Sequence, residues 1–170
     1  RAGNVIGGGD WSEDRIIPDL VRAVATGKQL EIRSPNSTRP WQHVLESLSG
    51  YLLLGQKLLE GQGRFADAWN FGPDAGSNRT VSEILCLMQK FWPDLAWYTN
   101  SANQPHEACL LHLDSSKARA LLNWHPVWDI NATIQLTAEW YRQYMEDGTL
   151  LSQIQIEKYQ CELSRLGPSR

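Results

Sequence analysis

Three consecutive glycines, Gly7 to Gly9, separate an apolar opening stretch from a run with helical periodicity. Residues 1–6 predict a strand, and residues 15–27 predict a helix that tolerates Pro18 in its first turn. A strand connected through a glycine loop to a helix is a basic structural unit of α/β folds. This order therefore directs the chain towards an α/β architecture.

The rest of the chain continues the alternation of short strands and longer helices. Thr80 and Glu83 have the spacing of a capping box, and Asp114 and Asp129 each precede an apolar helical pattern. No stretch is long or polar enough to be a linker, so we expect residues 1–148 to form one unit, followed by a helical or flexible tail over residues 149–170. Strands are predicted at 30–33, 40–44, 69–71, 95–98 and 109–113, and helices at 45–61, 80–91, 114–123 and 129–148.

Composition argues against several classes of protein. The 170 residues carry 16 Lys and Arg against 19 Asp and Glu, a net charge of −3 that provides no basic footprint for nucleic acid. No apolar run approaches the roughly 18 residues of a membrane span. The three cysteines, Cys86, Cys109 and Cys161, are odd in number and lack metal-ligand spacing, which favours a reducing cytoplasm and predicts no metal site.

The glycine loop partly imitates a dinucleotide-binding fingerprint. Gly7 and Gly9 have the required spacing after a strand, and Glu31 lies about 20 residues beyond, where a ribose-binding acid would stand. However, Ser12 replaces the third glycine, and Asp14 adds negative charge where a pyrophosphate would sit. The sequence therefore favours a plain loop over a cofactor site.

Two other polar groups are candidates for binding. Arg39 lies between a polar turn and a Pro-Trp strand, which suits either a phosphate or a surface carboxylate. His106 and Glu107 precede a predicted strand and could bind hydroxyls or a base edge, although such a pair is also typical of a solvated loop. The sequence contains no P-loop, nucleophile elbow or Ser-His-Asp order.

Two runs, GNVIGGGDW at residues 3–11 and RPWQHVLE at residues 39–46, closely resemble the CDP-glucose 4,6-dehydratase family of the extended short-chain dehydrogenases/reductases. Shorter matches at 69–73, 105–108 and 113–126 extend the resemblance over most of residues 1 to about 145. The resemblance implies an α/β fold that corresponds to the C-terminal part of such an enzyme. That part comprises the last strands of a Rossmann-type sheet and the smaller substrate-binding lobe.

In that family the enzyme is a lyase that uses tightly held NAD to convert CDP-glucose to CDP-4-keto-6-deoxyglucose and water. The family's NAD glycine motif and its Tyr-x-x-x-Lys pair both precede the segment that resembles residues 1–4, and this sequence contains neither. The resemblance therefore implies a chain that binds CDP-glucose, is inactive alone, and belongs to a longer homo-oligomeric protein whose missing half holds most of the NAD. The alternatives are a stand-alone nucleotide-sugar-binding module and another nucleotide-sugar dehydratase or epimerase.

The resemblance also assigns site residues, all of them for substrate rather than catalysis, cofactor or metal. Asn4 and Arg39 match diphosphate-binding residues, and Arg33 matches a residue stacked on the base. Glu107 matches an acid that binds the ribose hydroxyls. The complete expected set is Asn4, Arg15, Ile16, Ile17, Arg33, Arg39, Asn70, His106 and Glu107.

Overall fold

The structure is a computed structural model that describes residues 1–99 and 111–167. Two short 3-10 turns, at Gly63–Phe65 and Ala75–Ser77, lie in the connections between longer elements. The strands are β1 (Asn4–Ile6), β2 (Leu30–Ile32), β3 (Thr38–His43), β4 (Asn78–Thr80) and β5 (Trp97–Thr99), and the helices are α1 (Ile16–Ala25), α2 (Val44–Leu59), α3 (Val81–Phe91), α4 (Ser116–Leu122), α5 (Ile130–Asp147) and α6 (Ser152–Arg165).

The strands form two small sheets with parallel pairing in each. Strand β1 runs parallel to β3, with Asn4 opposite Trp41 and Ile6 opposite His43. Strand β4 adds to the other edge of β3 in the antiparallel direction, and β2 pairs in parallel with β5. Parallel strands need crossover connections, which here include helices α1 and α3. The α/β class predicted from the glycine loop is confirmed.

The main core lies between the β1–β3 sheet and helices α1, α3 and α5. It includes the fully buried side chains of Leu20 in α1, Leu85 in α3 and Ile134 in α5. A second cluster around Phe71 and Trp124 packs against residues of α2 and α4. Burial of these apolar faces fixes the helices against the strands that carry the candidate site.

The predicted helix ends are largely confirmed because they depend on local hydrogen bonds. The Thr80 hydroxyl and the Glu83 carboxylate each accept from the other's backbone N–H, which completes the capping box. The Asp129 carboxylate accepts from the N–H of Ala132, and Gly148 ends α5 in the left-handed conformation. At α4 the cap residue is Ser115 rather than Asp114.

The prediction of a strand at residues 69–71 is wrong. In the described residues Phe71 makes an isolated bridge, parallel to Ala2, and residues 68–70 and 72–74 on either side are irregular. Residues 111–113 are irregular, and the first two residues of the strand predicted at 109–113 lie outside the described residues.

The predicted tail contains helix α6, whose Gln155 and Tyr159 are buried. The division of the chain at residue 148 stays a prediction. Within residues 1–99 and 111–167, no helix has the length and apolar character needed to cross a membrane. The same residues bring together no group of three His, Cys, Asp or Glu side chains suited to a metal ion.

Candidate functional site

A cleft of about 1000 Å³ opens where β1, β2, β3 and the start of α1 meet. Its wall includes six of the nine residues that the sequence predicted for substrate binding. These residues lie in or directly beside four separate elements, so only the fold brings them together. They are Asn4, Arg15, Ile16, Ile17, Arg33 and Arg39.

Asn4 and Arg39 lie on neighbouring strands of one sheet. Asn4 begins β1 opposite Trp41, and Arg39 lies two residues before Trp41 on β3. Residues two apart on a strand share a face, so Arg39 and Trp41 both line the cleft. One guanidinium nitrogen of Arg39, Nη1, donates to the carbonyl of Thr38 at 3.0 Å. The amide of Asn4 and the guanidinium of Arg39 supply donors for an anionic group.

The start of helix α1 forms a second part of the wall. Arg15 is its N-cap residue in extended conformation, and the Arg15 side chain makes no capping hydrogen bond. Ile17 is buried behind it. Free N–H groups and the positive end of the helix dipole favour an anion at such a terminus. Arg15 adds a full positive charge at the same point.

Glu31 on β2 and Arg33 directly after this strand both line the cleft. Ile32 between them is buried in the main core and anchors the strand. The hydroxyl of Tyr98 on β5 lies 3.4 Å from the Glu31 carboxylate. This edge of the cleft therefore offers both a planar cation and a hydrogen-bond acceptor.

Acidic side chains also line the cleft, and two of them, Asp10 and Asp19, interact with neighbouring side chains. Burial raises the pKa of Asp10, but hydrogen bonds from Ser12 and the nearby charges of Arg15 and Arg22 outweigh burial and lower it. The Asp19 carboxylate pairs with Arg22, whose guanidinium also donates to loop carbonyls. The basic side chains that line the cleft are Arg15, Arg33 and Arg39.

The glycine loop after β1 is packed against helix α5 and does not fit a dinucleotide pyrophosphate. A Cβ atom on Gly8 would lie 2.0 Å from the Trp140 ring, so the space beside the loop is filled by protein. The hydroxyl of Tyr141 donates to the Asp10 carbonyl at 2.7 Å and accepts from the Asp10 N–H at 3.1 Å. Helix α1 begins only at Ile16, seven residues after Gly9.

The other three predicted residues are one that lies elsewhere and two whose positions are not described. Asn70 lies outside the cleft wall, and its side-chain amide donates to the carbonyl of Asp114 at 3.0 Å. His106 and Glu107 lie outside the described residues. The roles of these three residues stay predictions.

Sequence reasoning missed Tyr141 as a residue of the cleft. It is buried on α5, on the same helix face as Ile134 and Ala138. It lines the cleft, where its hydroxyl is hydrogen-bonded to the backbone of Asp10. Burial raises the pKa of its hydroxyl to about 12, so the group stays protonated and can donate. The helical periodicity showed that Tyr141 faces inward, but not that this face meets the glycine loop.

A buried polar network lies at the far end of β3. The Glu46 carboxylate accepts from the N–H groups of Val127 and Trp128 and from the hydroxyl of Tyr159. Burial raises the pKa of Glu46, and these hydrogen bonds oppose that rise. His43 caps α2 by accepting from the Leu45 N–H, and burial lowers its pKa to about 4. These contacts hold the start of α2 in position.

Comparison with solved structures defines the class of fold. UDP-glucuronic acid 4-epimerase from Bacillus cereus, solved with UDP-glucuronic acid and NAD, matches 84% of this chain with a TM-score of 0.68 and 18% identity. The NAD complex of dTDP-glucose 4,6-dehydratase from Bacillus anthracis matches 86% with a TM-score of 0.66 and 20% identity. The chain thus has the fold of extended short-chain dehydrogenase/reductase epimerases and dehydratases, and covers 44% of each of these two chains.

Sequence comparison then identifies a particular relative. CDP-glucose 4,6-dehydratase from Salmonella typhimurium is 44% identical over 168 residues, which is 97% of this chain. The chain is homologous to that enzyme, and the resemblance predicted from its motifs is confirmed. It spans about half, 47%, of the relative's length. No protein-family model matches the chain.

Proposed function

We propose that this chain supplies the nucleotide-sugar-binding part of a CDP-glucose 4,6-dehydratase. The observation that carries the proposal is the convergence of Asn4, Arg15, Arg33 and Arg39 on one cleft. By the motif resemblance all four match substrate-binding positions, and they lie in or directly beside four different elements. The homology to CDP-glucose 4,6-dehydratase supports the same conclusion from the whole sequence.

The cleft's chemistry suits the two ends of a nucleotide diphosphate. Asn4, Arg39 and the start of α1 offer donors and positive charge to the diphosphate oxygens. Arg33, directly after β2, can cover a pyrimidine with its planar guanidinium. Glu31 beside it offers an acceptor to an exocyclic amino group such as that of cytosine. The substrate is therefore CDP-glucose, held by its nucleotide.

In this proposal the cleft binds and orients the substrate and transfers no proton. The sequence has no Tyr-x-x-x-Lys pair, and the cleft's one phenol with a raised pKa, Tyr141, is engaged by Asp10. NAD, which accepts and returns a hydride in this family's reaction, is held mainly by the part of the fold that this chain does not span. The Trp140 ring fills the space beside the glycine loop, so the loop provides no pyrophosphate site.

A calorimetric titration of the 170-residue chain tests this function. We expect CDP-glucose and CDP to bind at one site, with glucose not binding. CDP-glucose incubated with the chain and NAD should yield no 4-keto-6-deoxy product. Absence of CDP-glucose binding would contradict the proposal. Equal binding of UDP-glucose would instead favour another nucleotide-sugar enzyme. Formation of product by the chain alone would disprove the proposal that this chain binds the substrate without catalysing the reaction.

A further inference from the structure

One exposed segment of the cleft wall is held by side chains from two helices. It comprises residues 10–15, between the glycine loop and α1, and we call it the β1–α1 segment. It contains no helix or strand, and residues 11–15 are exposed. Three of its residues, Asp10, Asp14 and Arg15, line the cleft. Burial alone therefore does not fix this part of the wall.

Tyr141 of α5 binds both backbone groups of Asp10 with one hydroxyl. The hydroxyl donates to the carbonyl oxygen at 2.7 Å and accepts from the N–H at 3.1 Å. Burial raises the pKa of Tyr141 to about 12, so the hydroxyl stays protonated at neutral pH and makes both bonds at once. The Tyr141 side chain is itself fully buried. A core side chain thus fixes the backbone at the start of the segment.

Arg22 of α1 binds the next two residues of the segment. Its guanidinium donates to the carbonyl oxygens of Trp11 and Ser12, each at 3.0 Å, and pairs with Asp19. Three successive carbonyl oxygens of the segment therefore accept hydrogen bonds from side chains. Trp11 and Ser12 are exposed, so burial does not require their carbonyl groups to have a partner in the protein. The effect of these bonds is to fix the course of the segment.

The β1–α1 segment ends at Arg15. Asp14 before it has a φ of 58°, the left-handed conformation that is uncommon for residues other than glycine. Arg15 is the N-cap residue of α1, and its side chain lines the cleft. Helix α1 is buried in the main core from Ile17 onward, beyond Arg15. The backbone direction of Arg15 therefore depends on the segment that precedes it.

We propose that Tyr141 is a positioning residue for the nucleotide diphosphate, which acts through the β1–α1 segment on Arg15. A cation that is held in place before the ligand arrives binds more tightly, because less conformational freedom is lost on binding. Tyr141 itself contacts Asp10 rather than the ligand. The inference rests on the proposed function, since it adds a residue to the same binding site.

The affinity for CDP-glucose, measured by calorimetry, tests this role with Tyr141→Phe, which keeps the ring in the core and removes the hydroxyl. The matched control is Tyr144→Phe on the same helix. The Tyr144 ring lies 5.5 Å from the Trp11 ring, the same centroid distance as the Tyr141 ring. We expect binding to be about tenfold weaker in Tyr141→Phe and unchanged in the control. Circular dichroism establishes that each variant is folded at the temperature of the titration.

A double-variant cycle with Arg15→Ala separates positioning from a general structural role. If Tyr141 acts through Arg15, loss of its hydroxyl should weaken binding by less than about threefold once Arg15 is replaced. A general structural role would give the same factor in both backgrounds. Equal factors, or an affinity of Tyr141→Phe equal to that of wild type, would overturn the proposal.

Arg22→Lys is a second variant, and it leaves the core unchanged. Lysine keeps a positive charge beside Asp19, but an ammonium group does not reproduce the planar fork that donates to two carbonyl oxygens. We expect CDP-glucose binding to weaken about threefold or more, because the segment is less ordered before binding. An affinity equal to that of wild type would show that the segment does not control binding, and would overturn the proposal.

Amide hydrogen exchange measured by NMR gives a readout that needs no ligand. The Asp10 N–H should exchange about tenfold faster or more in Tyr141→Phe than in wild type, because its acceptor is lost. Tyr144→Phe should leave that rate unchanged. Unchanged protection of Asp10 in Tyr141→Phe would overturn the proposal.

The inference and the proposed function fail in different ways. Binding of CDP-glucose by wild type, with the same affinity in Tyr141→Phe, would contradict the positioning role alone. Absence of CDP-glucose binding by wild type would contradict the proposed function, and the positioning role with it.

Discussion

The hydroxyl of Tyr159 donates to the carboxylate of Glu46 at 2.8 Å across 113 residues of sequence. This contact ties the C-terminal helix α6 to the start of α2 in the interior of the protein. Because Glu46 also accepts from two backbone N–H groups, one carboxylate links three segments of the chain. Burial and the neighbouring Glu46 raise the pKa of Tyr159, so the phenol remains a donor at neutral pH.

Replacing Tyr159 with phenylalanine should lower the free energy of unfolding by about 1–3 kcal/mol, because a hydrogen bond to a buried carboxylate is lost while the ring is kept. Urea unfolding followed by circular dichroism measures this change. Tyr144→Phe is the control, since Tyr144 is partly exposed and contributes through its ring. Equal stability of the Tyr159 variant and wild type would show that the contact contributes nothing.

Substitution of Gly8 by alanine should destabilise the chain by about 1–3 kcal/mol, because the added Cβ overlaps the buried Trp140 ring. Gly55→Ala should instead stabilise it by about 0.5–1 kcal/mol, since Gly55 is in a helix interior with open space around it. Thermal melts of both variants test the pair. A Gly8 variant as stable as wild type would show that the loop does not pack on Trp140.

Stability should fall as the pH drops from about 6.5 towards 4, in part because of His43. Its pKa is lowered to about 4 by burial, so between these values the unfolded chain binds a proton that the folded chain excludes. A shift of this size corresponds to roughly 3 kcal/mol at the low end of the window. His43→Asn keeps a side-chain acceptor for the start of α2 but does not titrate there.

Urea unfolding at pH 7.5 and pH 4.5 measures this dependence. The loss of stability between the two values should be smaller in the Asn variant than in wild type. Identical losses in both proteins would assign the pH dependence to other groups.

The local elements of this fold could be predicted from the sequence, whereas its long-range contacts could not. The capping box at Thr80 and the cap at Asp129 depend on residues three apart, and both were predicted correctly. The strand at 69–71 was not, because its two aromatic residues show strand propensity but not whether a neighbouring strand pairs with them. Among the residues that the structure describes, this run forms an isolated bridge between Phe71 and Ala2.

The candidate site shows the same division. The chemistry of Arg39 left phosphate and carboxylate partners open until the motif resemblance favoured phosphate. Tyr141, 131 residues from Asp10, gave no local signal for its contact with the glycine loop. The exposed leucines of α2 were predicted to lie on a helix, but their outward direction follows from the burial of Glu46, which no periodicity indicates.

The affinity of the chain for CDP-glucose with and without the Arg39 guanidinium tests the central claim most directly. Arg39→Ala should weaken binding by about 10- to 100-fold, or about 1.5–3 kcal/mol, through loss of charged hydrogen bonds to the diphosphate. Arg39→Lys should recover only part of the loss, because an ammonium group lacks the two-pronged geometry. Arg79→Ala is the matched control, since Arg79 pairs with Arg39 in register on β4 but does not line the cleft. A dissociation constant unchanged in Arg39→Ala would contradict the assignment of this cleft to the nucleotide diphosphate.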